Sequence, residues 1–152
     1  MDRFDYLILT ELQNNGRIST AELGRKIGLS TTATKERIKK LEQEGIIKGY
    51  TAIIDSDKVG MDITAFISVP IGELPIDKMA EFLSEIPEVL ECHKVTGDTC
   101  YLIKVKTMNT KKLEQLIDKI NNIAKSTYTY LVLSTAKETI KISLEENDSK
   151  QK

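Results

Sequence analysis

The stretch IGLSTTATKERIKKLE, residues 27–42, contains the pattern that decides the fold of the first part of the chain. A Gly-Leu-Ser turn separates two segments in which apolar residues recur at helical spacing. Ser30 is a residue type that favours the N-cap of a helix, so we predict that a helix begins directly after it. Three residues of that helix fall on one face and are predicted to point inward: Thr34, Ile38 and Leu41.

A second helix is predicted immediately upstream of this turn. The sequence STAEL, residues 19–23, is a capping box in which Ser19 caps the helix and Glu22 reaches back to it. Gly28 is predicted to end this helix, because glycine readily adopts the left-handed conformation found there. Two capped helices joined by a tight turn that contains glycine predict a helix-turn-helix.

The flanking segments complete a small three-helix unit. Residues 3–14 carry apolar side chains at helical spacing, and Asn15 and Gly16 stop that helix. Gly45 is predicted to end the third helix. The β-branched segment that follows, residues 46–55, predicts a strand or a short wing.

The outer face of the third helix carries residue types that contact DNA. Short hydroxyl side chains near a helix N-terminus suit base edges, thymine methyl groups or phosphates, and lysine and arginine suit phosphates. Glu36 would repel the DNA backbone unless it accepts a hydrogen bond from a cytosine or pairs with Lys40. Residues 24–48 contain seven basic and three acidic residues, a local net charge of +4 in a chain whose formal net charge is −1. The predicted DNA-binding residues are Ser30, Thr31, Thr32, Lys35, Glu36, Arg37 and Lys39.

The pattern changes after the polar segment DSDKVG, residues 55–60, which we predict to be a linker. Strands are predicted at 62–71, 88–96, 100–106 and 127–135, with 138–144 as a candidate fifth, and helices at 76–86 and 109–123. This β-α-β-β-α-β order predicts a ferredoxin-like sheet with helices on one face. If the other face is apolar it needs cover, which predicts a dimer.

We therefore predict an α+β protein with two domains. A helix-turn-helix DNA-binding domain of winged-helix-like type covers 1–50, and a linker strand or hinge covers 51–60. A ferredoxin-like domain for oligomerisation covers 61–144. The polar tail, residues 145–152, is predicted to be disordered.

Composition argues against several other classes of protein. The 152-residue sequence has no apolar run of about 18 residues, which predicts no membrane span. The opening MDRFDYLIL carries an acid at its second position and lacks a small-residue cleavage site, so we expect no signal peptide. Two cysteines are too few for a disulfide framework and match no metal motif. We expect a cytoplasmic protein without a cofactor or metal.

The ordered set of motifs resembles the Lrp/AsnC family, the feast/famine transcription regulators. The pieces are an Asp before ILxxL, the run GRISTAELGRKIGLS, the run RIKKLEQEGIIKGY and a closing Lys-x-Gly. A further run, PEVLECHKVTGDTCYLIKV, resembles the effector-binding region of the family. The resemblance covers about residues 2–140.

The resemblance implies a helix-turn-helix regulator whose ferredoxin-like domain binds an effector. Members of the family are dimers that assemble further, to tetramers or often octamers, and bind double-stranded DNA at several half-sites. Many respond to a small amino acid bound between dimers, near the turn that is TGDT in this chain. The effector-binding residues implied here are Gly97, Asp98, Thr99, Cys100 and Ser134.

Two residues depart from the family pattern. The family usually shows Gly-Asp-x-Asp in this turn, and this chain has Cys100 in place of the second Asp. A carboxylate can pair with an amino group and a neutral thiol cannot, so the sequence leaves open whether an amino acid is the effector. Cys100 can instead be a small buried residue at the start of a strand. The second departure is Thr34, where valine is common; its hydroxyl can bond to the carbonyl of Ser30.

We predict a sequence-specific DNA-binding regulator that is not an enzyme. One alternative is a DNA-bending or chromatin-organising protein without an effector. A second is a relative of haem-biosynthesis decarboxylases, for which the single histidine, His93, lies beside Cys92 on the opposite face of a strand. A third is a ligand-binding module that has lost DNA contact, although Lys35, Arg37 and Lys39 remain in place.

Overall fold

Three short helices form the first part of the chain in the computed structural model, which describes residues 1–70, 74–97, 99–124 and 126–144. They are α1 (Arg3–Asn14), α2 (Thr20–Ile27) and α3 (Thr31–Gln43). Each begins after a polar N-cap whose side chain accepts a main-chain N–H: Asp2, Ser19 and Ser30. The apolar side chains that the helices bury between them are Ile8, Leu23, Ile27 and Leu41.

The turn between α2 and α3 has the predicted form. The helix α2 ends at Gly28, whose φ of 78° lies in the left-handed region. Two residues later, the Ser30 hydroxyl accepts a hydrogen bond from the main-chain N–H of Ala33 at 3.2 Å, and α3 begins. The helix-turn-helix prediction is therefore confirmed. Gly45, with a φ of 69°, follows the end of α3 as predicted.

A complete capping box lies at the start of α1, where the sequence analysis did not place one. Asp2 Oδ1 accepts the N–H groups of Phe4 at 2.9 Å and Asp5 at 3.1 Å, and Asp5 Oδ2 accepts the N–H of Asp2 at 2.9 Å. At the predicted box of α2, the Ser19 hydroxyl accepts the N–H of Glu22 at 3.2 Å. Aspartate can serve at both ends of such a box because its carboxylate accepts from helix amides as a serine hydroxyl does.

Two segments contain no strand within the described residues. The segment 46–55, predicted as a strand or a short wing, forms no strand, and the prediction of a candidate fifth strand at 138–144 is wrong. Both are β-branched, but a strand also needs a neighbour that shares its main-chain hydrogen bonds. Ile53 is 76% exposed and Ile142 is 70% exposed, which fits segments that belong to no sheet.

The segment that begins at Glu138 belongs to the same compact unit as the helices. That unit comprises Met1–Ile53 together with this segment, and the second unit is Ile54–Lys137. The side-chain amide of Gln13 holds the segment, because its Oε1 accepts the N–H of Ile142 at 2.6 Å and its Nε2 donates to the carbonyl of Ile142 at 3.0 Å. The domain boundaries at 50, 60 and 144 stay predictions.

The second unit is an antiparallel sheet with two helices. After a 3₁₀ turn at Asp57–Val59, its elements are β1 (Ile63–Val69), α4 (Ile76–Ser84), β2 (Val89–Lys94), β3 (Tyr101–Thr107), α5 (Thr110–Asn121) and β4 (Tyr128–Leu131). The strand order is β2-β3-β1-β4, and every pair is antiparallel. This arrangement confirms the predicted ferredoxin-like fold, and β4 is shorter than predicted.

One face of the sheet packs on the two helices. Ile67 of β1 and Ile103 of β3 are opposite each other in the register, and both are fully buried with Leu83 of α4 and Ile120 of α5. Pro75 precedes the first residue of α4, and Asn109 is the N-cap of α5. The other face is open, since side chains alternate along a strand.

The open face carries aromatic and aliphatic side chains. Phe66 of β1 is paired with Tyr130 of β4, and Ser68 is paired with Tyr128. Tyr128 is 65% exposed and Tyr130 is 60% exposed. Leu102 of β3 lies next to Ser68 on the same face. This surface is the second face of the sheet, which the sequence analysis expected to be covered by a second copy of the chain in a dimer.

The predicted disordered tail, 145–152, lies outside the described residues, as do 71–73, 98 and 125. In the part of the chain that the structure describes, no helix has the length and apolar character needed to cross a bilayer.

Candidate nucleic-acid interface

The outer face of α3 presents most of the residues predicted to contact DNA. Six of the seven are exposed: Ser30, Thr31, Thr32, Lys35, Glu36 and Lys39. Thr34, on the inner face, is fully buried, and its hydroxyl donates to the carbonyl of Ser30 at 2.9 Å. This bond gives the buried hydroxyl an acceptor in the preceding turn, as expected for threonine inside a helix. The capped first turn therefore leaves Thr31 and Thr32 free to face a groove.

The basic residues near α3 divide into paired and unpaired groups. Lys40 Nζ lies 3.7 Å from the carboxylate of Glu44, and Lys26 Nζ lies 2.8 Å from that of Glu11. The hydrogen bond to Glu11 raises the pKa of Lys26. The remaining lysines of α3, Lys35 and Lys39, have no carboxylate within 4.0 Å among the described residues.

Lys35 and Lys39 lie on the same side of α3. Residues four apart are neighbours on a helix surface, so the two ammonium groups project together. Because no described carboxylate neutralises them, they are the charges of this helix best placed to meet a polyanion. Electrostatic binding to DNA is carried by such cations, since each one neutralises a phosphate and releases a counterion.

Arg37 differs from the other predicted contact residues. Its Nη1 donates to Asp2 Oδ2 at 2.7 Å and to Asp5 Oδ1 at 2.8 Å. Its guanidinium carbon also lies 5.4 Å from the centroid of the Phe4 ring. The hydrogen bonds to Asp2 and Asp5 raise the pKa of the guanidinium. Arg37 is half-buried, and its charge is already engaged within the helical unit.

A close approach of α2 to α3 fixes where the interface residues point. A Cβ atom added to Gly24 of α2 would lie 2.7 Å from the carbonyl oxygen of Leu29 and 2.9 Å from Thr34 Oγ1. Real Cβ atoms do not approach other atoms so closely, so only glycine fits without a shift. The sequence analysis treated Gly24 as part of a motif and did not identify this packing role.

Three functional candidates of this unit were missed from the sequence: Gly24, Asp2 and Asp5. The two aspartates are three residues apart before an apolar run, which is the spacing of a capping box and could have been recognised. Their pairing with Arg37 joins residues more than thirty positions apart in sequence, and no local pattern predicts it.

The turn implied as the effector site precedes β3. Gly97 has a φ of 107°, and Asp98 lies outside the described residues. The hydroxyl of Thr99 shares a hydrogen bond of 2.5 Å with that of Ser68, which is 6% exposed on β1. Ser134 is exposed beyond the end of β4.

Cys100 directly precedes β3, half-buried and packed against the core of the second unit. Its main-chain N–H donates to the carbonyl of Val69 at 3.2 Å, and its carbonyl accepts the N–H of Val95 at 3.1 Å. Cys100 therefore lies at the end of two central strands, β1 and β3, at the position where the family pattern has a carboxylate. What the residue does for an effector stays a prediction.

The decarboxylase alternative relied on His93. This side chain is exposed on β2, and its Nε2 lies 3.2 Å from Glu91 Oε2. Cys92 faces the opposite side, against the core, where burial raises the pKa of its thiol. Among the described residues, no group of three or more His, Cys, Asp and Glu side chains is arranged to hold a metal ion.

The chain matches two family models. Residues 1–48 match a winged helix-turn-helix DNA-binding model, and residues 64–142 match the Lrp/AsnC ligand binding domain. It is 35% identical over 146 residues to the HTH-type transcriptional regulator FL11 of Pyrococcus horikoshii, which covers 95% of this chain and 97% of that relative.

Two further relatives carry names that mention an amino acid. The chain is 32% identical over 149 residues to the leucine-responsive regulatory protein of Salmonella typhimurium, covering 91% of this chain and 88% of that protein. A transcriptional regulator of Neisseria meningitidis, solved as a complex with L-Met, superposes with a TM-score of 0.86 at 28% identity, over 94% of this chain and 96% of that one.

Proposed function

Since this chain belongs to the Lrp/AsnC family of transcriptional regulators, we propose that it recognises operator DNA through the outer face of α3. This proposal rests on two lysines of that helix. Lys35 and Lys39 are exposed, and no described carboxylate neutralises them. Thr31 and Thr32 precede them in the first turn, where a recognition helix meets base edges in the major groove.

The assignment of roles follows from chemistry. Lys35 and Lys39 bind phosphates, which gives affinity without sequence preference. Thr31 and Thr32 contact base edges or thymine methyl groups, and these contacts give preference among sequences. Glu36, exposed between the lysines, disfavours phosphate approach and accepts from a cytosine amino group. Ser30 holds the start of the helix in position.

The experiment is fluorescence anisotropy with a labelled duplex from upstream of the protein's own gene and a scrambled duplex of equal composition. We expect tighter binding to the first duplex and a steep loss of affinity with salt. Lys35→Ala and Lys39→Ala each reduce the slope of log affinity against log salt by about 0.9, one phosphate contact each. Lys78→Ala, which removes a lysine of α4 paired with Glu81, is the matched control and leaves the slope unchanged.

An effector site at the turn from Gly97 to Cys100 forms a second part of the proposal. The paired hydroxyls of Thr99 and Ser68 place polar groups beside this turn. Support also comes from the Lrp/AsnC ligand-binding match over this region and from the relative solved with L-Met. A small amino acid, bound here, would shift DNA affinity by binding two states of the protein unequally.

This part is tested by repeating the anisotropy titration with each of the twenty amino acids at millimolar concentration. A shift in DNA affinity with one of them, reciprocated by calorimetric binding of that amino acid, supports a sensor. Binding to DNA that none of them alters favours the DNA-bending or chromatin-organising alternative, which needs no effector.

Self-association through the open face of the sheet is also proposed. Tyr128 and Tyr130 are exposed there beside Phe66, and an exposed aromatic surface of this kind marks an interaction site. Light scattering should give a dimer or a larger assembly, and a monomer at micromolar concentration would contradict this. Because the relatives are named as regulators, we also propose that the protein is cytoplasmic and has no enzymatic activity. A decarboxylation assay tests the second of these two proposals.

A further inference from the structure

The side of α3 that carries Arg37 is different from the side that carries Lys35 and Lys39. Successive residues of a helix are rotated by about 100°, so Arg37 lies about 200° from each of the two lysines. Its side chain runs to the first turn of α1, where it meets Asp2 and Asp5 at 2.7 Å and 2.8 Å. An arginine that serves phosphate on the lysine face cannot hold these two carboxylates at the same time.

The two aspartates have a further role that connects Arg37 to the start of α1. Asp2 and Asp5 close the capping box of that helix, and Phe4 between them lies under the guanidinium at 5.4 Å. One planar cation therefore contacts three side chains of the turn that begins α1: Asp2, Phe4 and Asp5. This arrangement joins the middle of the recognition helix to the first turn of another helix.

The electrostatic surroundings of Arg37 also disfavour a phosphate. A shallow depression beside it is lined by three acidic residues, Asp2, Asp5 and Glu36, and by Met1, Ala33 and Lys40. Lys40 is in turn paired with Glu44 at 3.7 Å. A phosphate that approached Arg37 from this side would meet more carboxylates than free cations.

We propose that Arg37 is a positioning residue for DNA recognition: it clamps α3 to the first turn of α1 and so fixes the direction in which Thr31 and Thr32 face the bases, without binding phosphate. For brevity we call Arg37, Asp2 and Asp5 the α1–α3 clamp. The inference rests on the proposed role of α3 in DNA binding. It reverses the role that the sequence analysis gave to Arg37, which counted it among the phosphate contacts.

The clamp and a phosphate contact predict different responses to salt. Arg37→Ala loosens α3 and lowers affinity for the upstream duplex more than for the scrambled one, because misplaced threonines lose base contacts first. It leaves the salt slope at the wild-type value, whereas Lys35→Ala lowers the slope by about 0.9. Arg37→Lys keeps the charge but lacks the planar guanidinium that lies over the Phe4 ring, so it restores only part of the affinity.

The acidic partner supplies the deciding variant. Asp5→Asn keeps the size of the side chain and removes one carboxylate from Arg37. If Arg37 acts by position, Asp5→Asn weakens binding to the upstream duplex as Arg37→Ala does, and the double variant is no worse than Arg37→Ala alone. If Arg37 binds phosphate, Asp5→Asn releases the cation, tightens binding to both duplexes and makes the salt slope steeper.

The test is anisotropy of the full-length protein on both duplexes across a salt series, with circular dichroism to confirm that each variant is folded. A loss of about 0.9 in the slope for Arg37→Ala, equal to that of Lys35→Ala, would overturn the clamp. So would a tighter Asp5→Asn variant. If Arg37→Ala does not fold, Arg37→Lys and Asp5→Asn still separate the two roles.

A second readout does not depend on DNA. Thermal unfolding of the two single variants and the double variant forms a cycle in which the clamp predicts strong non-additivity. Additive shifts in melting temperature would overturn the clamp even if DNA binding fails. Conversely, if Lys35→Ala and Lys39→Ala leave the slope unchanged while the cycle shows coupling, the proposed DNA surface is wrong and the clamp remains.

Discussion

A side chain on Gly24 would collide with Thr34, because its Cβ atom would lie 2.9 Å from Thr34 Oγ1. Thr34 cannot turn away freely, since its hydroxyl is hydrogen-bonded to the carbonyl of Ser30 at 2.9 Å and the residue is fully buried. The second obstacle, the carbonyl oxygen of Leu29, is main chain and lies 2.7 Å away. The contact between α2 and α3 is therefore as close as it is because position 24 lacks a side chain.

We expect Gly24→Ala to destabilise the helical unit by about 1–3 kcal/mol, the usual cost of forcing an extra carbon into a packed site. Chemical unfolding followed by circular dichroism measures this. Gly16→Ala is the matched control, since its Cβ would meet only the carbonyl of Leu12 at 3.8 Å. Equal stability of the two variants would show that the turn yields more easily than its main-chain contacts indicate.

Low pH should weaken the pairing of Asp2 with Arg37. Burial alone raises the pKa of Asp2, but the hydrogen bonds from Arg37 and from the main chain of Asp5 and Phe4 outweigh it and hold the pKa below its ordinary value of 3.8. A depressed carboxyl pKa stabilises the folded state above the unfolded pKa, and this contribution disappears as the pH falls through the folded pKa. The loss therefore begins near 3.8 and continues below it.

Asp2→Asn isolates this effect, because asparagine is also a good N-cap. We expect the variant to be less stable than the wild type at neutral pH, and the gap to close below the ordinary pKa of 3.8. Unfolding midpoints across a pH series give the gap directly. A difference that does not change with pH would mean that the pairing charge of Asp2 contributes nothing.

High pH should release Tyr50 from Glu42. The phenol donates to Glu42 Oε1 at 2.9 Å, and burial, followed by this hydrogen bond, raises the pKa of Tyr50 to about 12. The unfolded phenol ionises near its ordinary value of 10.0, so the stabilisation from this pair is lost between 10.0 and about 12. Ultraviolet absorbance reports the tyrosinate directly.

We expect Glu42→Gln to lower the pKa of Tyr50, because the neutral amide no longer opposes formation of a phenolate. Tyr50→Phe is the control that removes this one titration from the absorbance curve. If Glu42→Gln leaves the absorbance curve at high pH unchanged, burial alone determines the ionisation of Tyr50.

Cys100 offers a gain-of-function prediction for the effector site. Cys100→Asp introduces the carboxylate that the family pattern has at this position, and a charge-assisted bond to an amino group contributes roughly 1.5–3 kcal/mol. If an amino acid binds at this turn, we expect its affinity to rise by about tenfold or more, as measured by calorimetry. Cys100→Asn controls for size and polarity, and an equal gain in both variants would exclude a charge effect.

Helix boundaries and cap residues were accessible from the sequence. The predicted helix at 3–14 corresponds to α1 (Arg3–Asn14), and the glycine and serine of the turn were assigned the roles that the structure shows. These features depend on interactions within a few residues, between a side chain and the nearest main-chain amides, so the local sequence contains the information.

Strands were predicted less accurately where partners were lacking. Residues 46–55 and 138–144 have β-branched composition, yet the described residues there form no strand. The Gln13 amide instead binds the main chain of Ile142 across 129 positions of sequence. Composition indicates which segments suit a sheet, but only the fold decides which segments find a neighbour.

By itself, the sequence determined the helix-turn-helix, the order of the sheet elements and the charged face of α3, because capping and hydrophobic periodicity are local properties. The tertiary structure alone decided which basic residues remain available. Arg37 and Lys35 are two positions apart and chemically alike, but folding brings Asp2 and Asp5 to within 2.8 Å of the first and no described carboxylate to the second. Electrostatic pairing depends on distance in space, and the sequence specifies that distance only through the whole fold.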